Sequence, residues 1–200
     1  MFAQTSQSCS DSTSSSSMGE ITMEFSSLLE AVDTSMKSFE NCTFLFHENA
    51  APEAAQVIST LIVNIASKIS TFNALPMDQQ LTLSQKSAPA FVLVLTLATK
   101  VSNFIHCIRN DQTLVKLFPM FQLQNKAKLM AMKTIFDSWK PSMKEITCLL
   151  AMILSKTRLN NADQRYAKFV GQVMAITTRT INPNRIELLH KVVDAFTESF

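Results

Sequence analysis

Four cysteines and three histidines hold most of the ligating and nucleophilic chemistry open to this 200-residue chain. Cys9, Cys42, Cys107 and Cys148 lie far apart, and no Cys-x-x-Cys pair occurs, so a zinc ribbon or finger is excluded. His47, His106 and His190 form no His-x-x-x-His pair, and the adjacent His106 and Cys107 would point ~100° apart on a helix, too far to share one ion. Gly19 and Gly171, the two glycines, belong to no phosphate-cradling loop. Paired carboxylates of the kind a hydrolase uses are not evident. The expectation is a protein without catalytic residues, metal or cofactor, one that binds rather than reacts.

Composition narrows the scaffold. Two glycines leave little for tight hairpin turns, and eleven Met with many Leu, Ile and Ala favour helices. A net charge of +2 gives no ground for a nucleic-acid partner or an anionic membrane. The apolar stretch 88–98 is shorter than the ~20 residues of a membrane span, so no membrane is expected. Cys107 and Cys148 sit in apolar surroundings that suit buried free thiols in a reducing compartment. Asn41-Cys42-Thr43 matches a glycosylation acceptor by letter and, without a secretory signal, is read as chance.

The elements follow from periodicity. Residues 1–20, rich in Ser, Gln and Thr, are expected to be a disordered tail before a single domain over 21–200. Phe25, Leu28, Leu29, Val32, Met36 and Phe39 predict an amphipathic helix over 21–39. A less regular link through Phe44 to His47 follows. Pro52 sits just inside a long helix whose apolar stripe runs Val57, Ile58, Leu61, Ile62, Ile65 and Ile69. After a break at Asn73–Pro76, helices are expected from Met77 to about Lys86 and from Ser87 to about His106, with Pro89 near the join. The second of these is apolar nearly all round and must be covered on most sides.

Past a polar turn at Arg109–Gln112, residues 113–123 are ambiguous between strand and helical turn. A helix over about 124–136 is expected to turn Ala127, Met130, Ala131 and Ile135 inward. Another spans 142–156 around Ile146, Leu149, Leu150 and Ile153. Asn160–Asp163 caps a helix carrying Tyr166, Phe169, Val170, Val173 and Met174 on one face. The last, after Asn182-Pro183, buries Ile186, Leu189, Val192, Val193 and Phe196. The fold class is all-α: a three-layer antiparallel sandwich of about eight or nine helices.

The stretch 65–84 resembles the ligand-binding domain of nuclear hormone receptors. The family's pattern reads aromatic-Ala-Lys-x-x-x-x-Phe-x-x-Leu-x-x-x-Asp-Gln-x-x-Leu-Leu, and Ala66, Phe72, Leu75, Gln80 and Leu83 keep its places. Ile65, Ser67, Gln79 and Ser84 depart from it. Glu145-Ile-Thr-Cys-Leu-Leu-Ala-Met-Ile-Leu154 is similar to the family's eighth helix, and Pro183-Asn-Arg185-Ile-Glu-Leu-Leu189 to the opening of its tenth. The resemblance implies a structural ion pair between Glu145 and Arg185.

It also implies function. A lipophilic ligand would lie among Ile58, Leu61, Ile62 and Ile65 of the long helix, Val92, Leu95 and Thr96 of the middle helix, and Leu189 and Val193 of the last. The plainer alternative for each is a side chain that fills the core. Leu95 and Thr99, with Lys100 beside them, stand where relatives often hold arginines, so a strongly acidic ligand is not expected. A coregulator peptide would dock near Ser67, Lys68, Gln80, Gln85 and Lys86, and a homo- or heterodimer with a nuclear receptor would form through the last helix. Ser67 and Gln85 replace the family's usual basic residues, with Lys68 and Lys86 one position away. Haem held by Cys107 or Cys148 with His190 is the least favoured alternative. The ending Ala195–Phe200, with Glu198 at the acidic place, is read as the end of the tenth helix, so the family's activation helix is expected to be missing. The family's DNA-reading zinc fingers have no counterpart. The expected role is transcription regulation, in the nucleus first and the cytoplasm as a second location. Its alternative is a ligand-independent dimerisation or corepressor-docking module with a filled core.

Overall fold

The computed structural model describes residues 14–41, 51–99, 125–157, 159 and 162–197. The expectations for Cys9, Cys42, Cys107, His47, His106, Lys100, Glu198 and the segment 109–123 lie outside them. Eight helices and no strand occur among the described residues. They are α1 Ser14–Glu40, α2 Ala51–Ala66, α3 Ser70–Asn73 and α4 Met77–Ala98, then α5 Lys126–Trp139, α6 Met143–Lys156, α7 Gln164–Thr180 and α8 Pro183–Thr197.

The layers follow from which faces are apolar. Helices α4 and α6 touch each other, and both touch α1 on one side and α8 on the other. With α7, which packs on α6, they form the middle layer; α1 and α2 lie outside it, and α5 packs on α8 beyond it. Residues Ala90 to Leu97 of α4 and Glu145 to Ser155 of α6 are buried without interruption, as a middle layer requires. The result is an all-α sandwich around one apolar core.

Local chemistry sets the ends. Ser142 opens α6 with a capping box: its Oγ accepts the Glu145 N–H, and the Glu145 carboxylate accepts the Ser142 N–H at 2.8 Å. Asp163 caps α7 by accepting the N–H groups of Arg165 and Tyr166, and the Tyr166 bond is the chief reason its carboxyl is held below the usual range. Tyr166 reaches back across the turn and donates to the carbonyls of Ser155 and Thr157.

Four expectations need correction. Helix α1 begins at Ser14, upstream of residue 21, because an apolar stripe that anchors a helix lets it run on into the serines at little local cost. The long helix stops at Ala66 rather than running through Ile69. Lys68 and Ile69 bond three residues back, to Ile65 and Ala66, which tightens the chain into a turn before α3.

Met77 to Ala98 is one helix that passes through Pro89, not two joined near Lys86. An internal proline costs a helix ~3 kcal/mol, and the burial of Ala90 through Leu97 outweighs it. That helix is also long and apolar enough by length and composition to cross a membrane, so the short stretch 88–98 understates it.

In α5 the inward stripe is Leu129, Met132, Phe136 and Trp139; Ala127, Ala131 and Ile135 are exposed. Two apolar stripes compete on this helix, and the one with the aromatic rings removes more area from water. Phe136 and Trp139 meet edge to face at 5.9 Å. Lys140 then ends the helix in the left-handed region, at φ 48°.

Candidate functional site

Between α2 and α4 runs a groove of about 440 Å³, lined by Ile58, Ser59, Val63, Phe72, Met77 and Leu81, with Gln80, Ser84 and Gln85 among the polar members. Its rim is apolar and wet. Val63 is 51% exposed, Met77 78% and Leu81 56%, three of the five large apolar side chains exposed among the described residues. The corner that shapes one end is tied down. The Gln80 amide donates to the Leu75 carbonyl at 2.8 Å and more weakly to that of Asn73 at 3.4 Å. Phe72, on α3, lines the groove on one side and meets Phe169 of α7 edge to face at 5.7 Å on the other.

A polar hub on the opposite side of α3 holds it against α1 and α7. Glu24 accepts the Ser70 N–H at 2.6 Å and a hydrogen bond from the Gln172 amide, while Gln172 Oε1 accepts the Thr71 N–H at 3.2 Å. This hub escaped the sequence, because Glu24 and Gln172 lie at opposite ends of the chain.

The candidate coregulator residues separate. Gln80 and Gln85 line the α2/α4 groove. Ser67 and Lys68 border a different cleft, between α1, α3 and α7, beside Glu24 and Gln172. Lys86 borders a third, between α4, α6 and α8, near the Lys156–Asp194 ion pair, and Gln85 lines this cleft as well as the α2/α4 groove. Each lysine therefore serves a neighbouring cleft, and the α2/α4 groove has no charged residue in its lining. One residue along a helix rotates a side chain by ~100°, which is enough to produce this.

The nine candidate pocket residues are packed. Ile58, Leu61, Ile62, Ile65, Val92, Leu95, Thr96, Leu189 and Val193 are each at most 7% exposed. Only Ile58 borders any of these three clefts. Thr96 satisfies its hydroxyl within its own helix, donating to the Val92 carbonyl at 2.7 Å, and so offers no hydrogen to a ligand in this arrangement.

Glu145 and Arg185 come together, Arg185 Nε donating to Glu145 Oε1 at 2.6 Å. Cys148 is fully buried on α6, and burial pushes its thiol up to about 12. His190 is half-buried on α8. Among the described residues no group of three or more His, Cys, Asp or Glu side chains is placed to hold a metal.

Sequence reasoning missed Val63, Met77 and Leu81 as groove walls. The available signal was phase: Val63 lies off the Ile58–Ile62–Ile65 stripe of α2, and Met77 and Leu81, one turn apart, lie off the buried face that begins at Leu83. No protein-family model matches the chain, and no curated protein matches it.

Proposed function

We propose that the chain is a nuclear-receptor-like ligand-binding domain used as a docking module in transcription regulation, working in the nucleus by binding rather than by catalysis. The partners of this reading are a coregulator peptide in the α2/α4 groove and a second receptor-type subunit against α8. The observation that carries it is a contrast between interior and surface. Where a lipophilic ligand would sit, nine apolar or hydroxyl side chains are packed against their neighbours. Where a helix would dock, three large apolar side chains stand in water around a groove. Contiguous exposed apolar surface of this kind marks interaction sites.

The all-helical sandwich, the Glu145–Arg185 pair and the closed corner at Phe72–Gln80 agree with the family reading. Under it the close burial of these nine side chains among the described residues favours the ligand-independent form of the module. The lipophilic-ligand form requires Ile62, Ile65, Leu95 and Val193 to part and open a cavity.

Native mass spectrometry of the protein purified from its own cells separates the two. The expected masses are the bare chain and complexes of it with protein partners. A retained lipid adduct would return the reading to a ligand-regulated receptor domain.

A further inference from the structure

We propose that copies of this chain join head to tail, the acidic outer face of α1 on one copy lying across the basic outer face of α5 on the next. The inference goes beyond the docking reading, since neither the α2/α4 groove nor α8 takes part. Helix α1 carries five carboxylates, Glu20, Glu24, Glu30, Asp33 and Glu40, against Lys37 alone, a net charge of −4. Residues 126–144, which hold α5 and the first residues of α6, carry five lysines against Asp137, a net charge of +4. The whole chain has a net charge of only +2, so opposite signs are concentrated on these two elements. Helix α1 packs on α2, α4, α6 and α7, and α5 packs on α8, on opposite sides of the middle layer. The two faces of one copy cannot meet each other, whereas those of two copies can.

Each face also holds an apolar anchor. Of the five large apolar side chains exposed among the described residues, three stand at the groove. The other two are Met23 on α1, 75% exposed, and Ile135 on α5, 39% exposed. On α5 the exposed residues Ala127, Ala131, Thr134 and Ser138 are small, and helical spacing sets them between Ile135 and the edge that carries Lys126 and Lys133. A second helix has room to come close there, with Met23 and Ile135 inside the contact and charges at its margin, the pattern of an apolar centre in a polar rim. At 14 residues α5 is about 21 Å long, so the contact is smaller than a standard interface and leans on charge, which salt screens. Because an acidic face meets a basic one rather than its own copy, the contact is heterologous and propagates into a chain or ring instead of closing as a two-fold pair.

Analytical ultracentrifugation of the full chain at neutral pH tests this at about 50 mM and about 500 mM salt, between which the screening length falls roughly threefold. The expected result is a weight-average mass that climbs past the dimer with concentration at low salt and returns to the monomer at high salt. Met23→Lys and Ile135→Glu each put the wrong sign on one face, and each variant alone is expected to stay monomeric where the parent associates. Mixed in equal amounts they are expected to form a dimer and nothing larger, because the α1 face of the Ile135→Glu copy and the α5 face of the Met23→Lys copy are intact. Ala131→Glu, at an exposed position of the same face, repeats the α5 block if Ile135→Glu lowers the thermal melt.

A monomer at every concentration and at both salt levels overturns the inference, and so does association that high salt leaves intact. A mass that stops at the dimer and ignores all three substitutions belongs to a two-fold contact such as one through α8. That result overturns the head-to-tail contact and leaves the docking reading standing. Assemblies larger than a dimer in the mixture of variants place the contact on other faces and overturn it as well.

Discussion

Arg185, in the first turn of α8, joins two other helices to its own. Its Nε donates to Glu145 Oε1 at 2.6 Å and its Nη2 to the Trp139 carbonyl at 3.0 Å, with the guanidinium 5.9 Å from the Trp139 ring centre. The end of α5, the start of α6 and the start of α8 are thus held by one side chain. Glu145 is its counterpart, because the same carboxylate closes the capping box at Ser142. Burial by itself would raise the Glu145 carboxyl, but the hydrogen bonds from Arg185 and Ser142 together outweigh it and hold the group below its usual value.

A group depressed in this way contributes stability that is present above its unfolded pKa and disappears as pH falls through the folded one. Glu145→Gln keeps an amide that can still accept the Ser142 N–H but removes the charge facing Arg185. The expected loss is about 2 kcal/mol at neutral pH, below the full value for a buried pair because Arg185 is 37% exposed. Denaturant melts at pH 7 and pH 3 check it: the variant should lose less stability than the parent on acidification. Equal losses in both would mean that the pair contributes nothing.

Phe72 and Phe169 join the groove corner to α7, and both are buried. Phe169→Ala is expected to destabilise the chain by about 3–5 kcal/mol, from lost transfer energy and the cavity left behind. A double-mutant cycle with Phe72→Ala should show coupling of about 0.5–1.5 kcal/mol from the edge-to-face contact. Strict additivity would deny that the rings act as a pair.

Gly171 lies inside α7, exposed, with nothing within 4 Å of an added Cβ. Gly171→Ala is therefore expected to stabilise the protein by about 0.5–1 kcal/mol, through helix propensity alone. A rise in the thermal midpoint measures this, and a fall would indicate that this face is packed in solution.

Cys148 is predicted to be chemically silent while the chain is folded. Its thiol, pushed up to about 12, is almost wholly protonated at pH 8, and the side chain is closed off by α6, α7 and their neighbours. Peptide mapping after treatment with a maleimide should find Cys148 unmodified in native buffer and labelled in denaturant. Native labelling as fast as that of a free peptide thiol would contradict the packing.

Much of the fold was legible because single helices write their burial into the sequence. The stripes of α7 and α8 and the cap at Asp163 lie where periodicity and capping chemistry put them. Periodicity misled in α5, where alanines and a β-branched residue formed a rival stripe that only the bulk of Phe136 and Trp139 could settle. Proline chemistry misled in α4, because a local penalty was set against tertiary burial that no short window contains. The site was less legible still. Gln80 and Gln85 were located, but the lysines beside the motif turned into other clefts, and the exposed walls at Val63, Met77 and Leu81 passed as ordinary apolar letters.

The depth of α4 in the sandwich has a consequence for how the chain is made. During synthesis this greasy segment leaves the ribosome well before α6 and α8, which cover it, have been translated. Until they arrive it resembles cargo for a membrane insertase or a holding chaperone. A nascent chain halted ahead of Met143 should therefore cling to such factors or precipitate, and release should await the second half.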